Sequence, residues 1–150
     1  YLGMTMPIAI VSVYTWIKNP YKDTNEVKIN MLSKVQIILL VISTVLVTFA
    51  FYFILKAFNT ANLFFSTISI ATSFLASSLM MLRNQYYALA YAANDIVLII
   101  LWVLATIEKI SYLPMIICFV MFLANDIYGF INWERMKVRQ NVACFRTKYQ

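Results

Sequence analysis

The chain has 150 residues, of which 63% are apolar and 12% charged, with a net charge of +6 and a mean hydropathy of +0.78. A soluble domain is roughly 45–50% apolar and about 25% charged, so this composition excludes an ordinary water-soluble domain and points to a chain dissolved in a bilayer. Two Cys and no His exclude a disulfide framework and a Cys/His metal site, and no metal, cofactor or nucleic-acid partner is expected.

A membrane helix takes about 20 apolar residues, and five runs approach or meet that length. They are 1–17, 35–55, 61–82, 86–107 and 113–133. Gly and Pro number two and three, which permits long unbroken helices. The runs are continuous, whereas the strands of a membrane barrel alternate over about ten residues. The expected fold is therefore an all-α transmembrane bundle with five spans. The chain begins at Tyr1 inside an apolar run, without a signal peptide, so its start reads as a cut through a helix.

The connections carry the charge. The loop at 18–34 holds Lys18, Lys22, Lys28 and Lys34 against Asp23 and Glu26, with Asn19 and Pro20 as a turn signal. Lys56 lies in the second link, Arg83 in the third, and Glu108 with Lys109 in the fourth. The stretch at 134–150 is read as a basic tail, holding Arg135, Lys137, Arg139, Arg146 and Lys148. With five spans, the 18–34 loop, the Arg83 link and the tail share one side, which collects ten of the twelve basic residues. The positive-inside rule makes that side cytoplasmic. The expectation is a multi-pass protein of the plasma membrane with its C-terminus in the cytoplasm.

The spans differ in character. Helix 35–55 is apolar nearly all round and suits a lipid-facing position. In helix 61–82, Ser66, Ser69, Ser73 and Ser77 share one face. Such a face is a packing seam that lets helices approach and hydrogen-bond. Alternatively, Ser73 and Ser77 also line a solute path. The first and fifth helices end alike, with Ser12 four residues before Trp16 and Gly129 four before Trp133, at an offset of 117 residues. Both ends fall on the same side, which fits a parallel internal repeat. Helices three to five would form one triple, helix 1–17 would close an earlier one, and helix 35–55 would link them.

The chemistry concentrates in a repeated tetrapeptide. Ala93-Asn94-Asp95-Ile96 lies in the fourth helix and Ala124-Asn125-Asp126-Ile127 in the fifth. An Asp at a helix centre costs about 2.5–3.5 kcal/mol on insertion scales, so two of them call for a reason. At 1.5 Å per residue, Asp95 lies about 13 Å from Tyr86 and Asp126 about 10 Å from Trp133, which sets both at nearly one level. Tyr87, Tyr91, Asp95, Leu98 and Trp102 share a helical face, as do Phe122, Asp126, Gly129 and Trp133. Gly129 is read as leaving an opening beside Asp126. If the two faces meet, they form an acidic, polar floor with aromatic walls. That suits a small solute with hydroxyls or an amide and an aromatic or cationic ring. The bland alternative is that each Asn-Asp pair only glues helices, and a third reading is a proton relay. Trp16 reads as an interface anchor.

The segments Asn84 to Ile96 and Phe122 to Trp133 resemble the PnuC family of nicotinamide riboside transporters, as do the Gly129-x-x-x-Trp133 ending and the opening Tyr1 to Met4. The resemblance implies the 3+1+3 seven-helix arrangement of SWEET-like carriers. It also implies facilitated diffusion of an NAD precursor by alternating access, followed by cytoplasmic phosphorylation. Members carry Asn-Trp-x-x-Trp before an acid in the helix equivalent to the fourth. With Asp95 as that acid, Tyr91 stands at the second Trp and Ala88 at the first. The expected solute contacts are Asn94, Asp95, Asn125 and Asp126 for ribose or carboxamide, and Tyr87, Tyr91 and Trp133 around the ring. Gln85 is placed at the inner mouth. Competing readings are a relative carrying another vitamin such as thiamine, and a structural membrane subunit. An embedded enzyme ranks last because no nucleophile–base pair or ligand set is present. The sequence leaves open whether the chain forms a homo-oligomer.

Overall fold

The computed structural model describes residues 2–21, 26–60 and 62–148, with side chains from Thr5 to Val142 outside the same gaps. Tyr1, Lys22 and Asp23, and the side chains of Leu2, Met4, Cys144, Arg146 and Lys148, lie outside the described set. Five α-helices run in chain order: α1 (Leu2–Lys18), α2 (Lys34–Ala57), α3 (Leu63–Met81), α4 (Tyr87–Glu108) and α5 (Leu113–Lys148), with a short 3-10 turn at Ile110–Tyr112. Among the described residues, four stretches, Lys34–Ala57, Leu63–Met81, Tyr87–Glu108 and Ile110–Val142, are long and apolar enough to cross a bilayer.

Local chemistry explains the boundaries. Ser33 opens α2 with a capping box: its hydroxyl accepts the Gln36 amide at 3.3 Å, and the Gln36 side chain accepts the Ser33 amide at 3.0 Å. The turn into α3 uses Asn59 and Asn62 at φ of 48° and 54°, a left-handed region that Asn tolerates. Between α3 and α4, Arg83 also adopts positive φ, at 57°. Asn84 then takes two otherwise orphaned amides at the start of α4: its Oδ1 accepts from Tyr86 N at 3.0 Å and its backbone carbonyl from Tyr87 N at 3.2 Å. The stretch read as a basic tail is helical instead, since α5 is one helix of 36 residues. No Gly or Pro follows Gly129, and good helix formers such as Glu134, Arg135, Met136 and Lys137 carry the helix on.

Helix α3 is the hub. It packs on α1, α2 and α4, and α4 in turn packs on α5. Helix α2 has no buried residue. The interior lies along α3 and α4, and its buried positions are mostly small or polar: Ser69, Ser73, Ala76 and Ser77 on one side, Ala88 and Ala92 on the other. Small residues bring helix backbones together where lipid supplies no hydrophobic drive for association. Gly129 belongs to that packing. A Cβ built there would lie 3.9 Å from the Ala88 Cβ, an ordinary contact, so Gly129 faces Ala88 across the α4–α5 seam.

At one end of the bundle residues 19–21 and 26–30 fold back as a clasp. Pro20 and Val27 form an antiparallel bridge, with Tyr21 N donating to Glu26 O at 2.7 Å and Lys28 N to Asn19 O at 3.1 Å. The buried Gln140 of α5 pairs with this loop like a strand. Its Nε2 donates to Val27 O at 3.0 Å and its Oε1 accepts from Ile29 N at 3.2 Å. Arg139 meets Glu26 at 2.7 Å. Asn30 N donates to Arg83 O, and Asn84 Nδ2 to Asn30 O, both at 3.1 Å. The three basic segments of the sequence thus meet at one end.

The α4–α5 seam makes a direct prediction. Gly129→Ala leaves ordinary contact with Ala88 and gains helix propensity, raising stability by up to about 1 kcal/mol. Gly129→Leu forces the helices apart and costs about 1–3 kcal/mol. Melting temperatures of the detergent-solubilised variants check both.

Candidate functional site

All five helices contribute to one cavity of about 1010 Å³. Its polar side is built where α3, α4 and α5 converge. From α4 come Tyr87, Tyr91, Asn94 and Asp95, and from α5 come Asn125 and Asp126. The helical spacing explains the α4 set, because Tyr87, Tyr91, Asp95, Leu98 and Trp102 all line the space, as one face must. Phe51, Ile54 and Leu55 of α2 close an apolar side, so this helix does more than meet lipid.

The two acids lie together, as their depths imply. The carboxyl groups of Asp95 and Asp126 are within hydrogen-bonding reach of one another. Among the described residues no donor reaches Asp95 Oδ2, which is buried. Asp95 as a whole is 5% exposed. A carboxylate is acceptor-only, and in a bilayer an unmet acceptor is expensive.

Asn94 is tied back to α3. Its Oδ1 accepts from Thr72 Oγ1 at 2.8 Å and Ser73 Oγ at 2.9 Å, with Ser69 Oγ at 3.4 Å. Ser77 and the Tyr91 hydroxyl are 3.0 Å apart and share a hydrogen bond. The serine face is therefore both seam and wall: Ser77 joins helices, whereas Ser66, Ser69 and Ser73 line the cavity.

Two candidates sit elsewhere. Trp133 does not line the cavity. It is buried behind Tyr87, with ring centroids 5.1 Å apart, and backs a ring that does face the space. Gln85 is 1% exposed and away from the lining, with neither amide atom partnered among the described residues. Trp16, read as an interface anchor, belongs to the same aromatic cluster. Its Nε1 donates to Met80 O at 3.0 Å, and its ring lies 5.5 Å from Trp133 and 6.2 Å from Tyr87. The matching Trp residues of the two similar helix ends thus pack on each other. Sequence reasoning overlooked Thr72, which stands beside the serine face; its spacing of three from Ser69 was the available signal.

The comparisons with known proteins bear on this geometry. Residues 2–135 match the nicotinamide mononucleotide transporter family. The chain belongs to that family. A nicotinamide riboside transporter PnuC from Neisseria mucosa is 28% identical over 141 residues, covering 91% of this chain and 54% of the relative. The crystal structure of the vitamin B3 transporter PnuC superposes with a TM-score of 0.73 at 27% identity, covering 93% of this chain and 61% of that one. The chain spans little more than half the length of these relatives. Membership of a transporter family, together with several candidate spans, makes this a multi-pass membrane protein.

The Ser77–Tyr91 bond yields a test. Tyr91→Phe and Ser77→Ala each remove it and lower stability by about 0.5–1.5 kcal/mol. The double variant costs little more than one single, because both remove the same interaction. Thermal melts of the three variants measure this.

Proposed function

We propose that the cavity holds nicotinamide riboside, and that the whole protein carries this NAD precursor across the plasma membrane by facilitated diffusion with alternating access. One observation carries the proposal: two Asn-Asp pairs from neighbouring membrane helices line a single cavity with Tyr87 and Tyr91. The carboxyl groups accept from ribose hydroxyls or carboxamide N–H groups, Asn94 and Asn125 supply amides, and the tyrosine rings face the pyridinium. Trp133 stiffens Tyr87 from behind. The names of the two relatives support the choice of solute.

In this reading α3–α5 form the second triple of a 3+1+3 arrangement, α1 closes the first triple, and α2 links them. The meeting of loop 19–30, the Arg83 link and the end of α5 supports a shared side for the basic segments, and the positive-inside rule makes it cytoplasmic. Thiamine is the competing solute. Ala88, at the position of the first family tryptophan, is buried against Gly129 and offers no ring.

Titration of the purified full-length protein with nicotinamide riboside and with thiamine decides the solute, with nicotinamide riboside expected to bind tighter. Asp95→Ala and Tyr91→Ala should each abolish uptake with expression intact. Normal uptake in both defeats the assignment, and solute-induced thermal stabilisation argues against a purely structural subunit.

A further inference from the structure

We infer that Thr72 is a positioning residue: from outside the cavity it holds the Asn94 carbonyl toward α3, so that the Asn94 NH2 group faces the cavity and donates to an acceptor oxygen on the solute. The inference rests on the reading of the cavity as a solute site and adds a specificity element to it.

Asn94 lines the cavity, yet it is only 5% exposed. Its Oδ1 receives the two short bonds from Thr72 and Ser73, at 2.8 and 2.9 Å. An amide oxygen has two lone pairs, so these bonds occupy it. Nδ2 has no partner among the described residues and is not among the buried polar atoms sealed from solvent. What Asn94 has left to offer is therefore a donor.

The opposite amide orientation would turn an acceptor toward the cavity. The other buried polar group of α4 there is Asp95, with Asp126 facing it, and both are acceptors when ionised. A donor beside them gives the wall both hydrogen-bonding characters, which a carboxamide or a sugar hydroxyl can answer. A site built this way discriminates strongly against analogues that lack the matching group, because its own buried polar atoms are then left unpaired.

Thr72 separates positioning from contact. Ser69 and Ser73 line the cavity, but Thr72 does not. Its hydroxyl has one proton and three acceptors in range: Asn94 Oδ1 at 2.8 Å, Ser69 O at 3.1 Å and Ile68 O at 3.0 Å. The shortest contact is to Asn94. The two carbonyls already serve the helix, so losing the hydroxyl leaves α3 intact and releases the amide.

The test is a double-mutant cycle on solute affinity in the full-length protein, by calorimetric titration with nicotinamide riboside. Thr72→Val should weaken binding about tenfold, equivalent to about 1.4 kcal/mol, and Thr72→Ser, which keeps the hydroxyl, should restore it. In an Asn94→Ala background, Thr72→Val should add less than about a twofold change, since the two residues act as one unit. If Asn94→Ala does not fold, Asn94→Asp takes its place, because it keeps the oxygen that Thr72 holds and lacks the donor. Wild-type affinity in Thr72→Val overturns the inference, as does an undiminished Thr72→Val effect without the Asn94 amide. If the unaltered protein binds thiamine instead, the same cycle is run with thiamine. Binding of neither solute defeats the transport reading and this inference together, whereas binding that ignores Thr72 defeats this inference alone.

Discussion

A polar side chain inside a bilayer has no water to turn to, so it must find its partner in the protein. In this chain that constraint falls on the hydroxyl face of α3. Ser69, Thr72 and Ser73 converge on the Asn94 oxygen, and Ser77 meets the Tyr91 hydroxyl, so α3 and α4 are joined by hydrogen bonds where soluble helices would use leucines. Everything else at the cavity depends on that junction. It sets the rotation of α4, and the rotation of α4 decides that Tyr87, Tyr91, Asp95 and Trp102 look into one space.

The second junction is steric. Gly129 faces Ala88 across the α4–α5 contact, and on the same two helices Asp126 meets Asp95. One helix pair is thus fixed by hydrogen bonds and the next by small side chains. Between them, Asp95 Oδ2 is left without a protein donor among the described residues. The oxygen of the adjacent Asn94, by contrast, is taken by α3.

At the basic end, different forces operate. The aromatic cluster of Trp16, Tyr87 and Trp133 ties α1 to α4 and α5. The clasp of residues 26–30 on Gln140, Arg83 and Asn84 ties the connection after α1 to the elements that carry the acids. Any motion of α1 relative to α3–α5 has to carry this clasp along or break it. The exposed Arg139–Glu26 pair adds little strength there; the backbone bonds to the buried Gln140 are the firmer part.

Much of this was legible in the linear order of residues. Composition and run length determine the bilayer as solvent and the helix as the spanning element, because an unpaired backbone group in hydrocarbon allows little else. The 3.6-residue period places Tyr87, Tyr91, Asp95, Leu98 and Trp102 on one face, and the repeated Asn-Asp pair marks where polarity has been accepted at a cost. These are local properties, and each is written within a turn or two of its own helix. Which neighbour each face meets is not local. Only the packing turned Trp16 and Trp133 into partners, set Trp133 behind Tyr87 rather than in the cavity, placed Gly129 opposite Ala88 and joined Thr72 to Asn94. Those outcomes follow from how five cylinders settle against each other, and residues far apart in the chain decide them together.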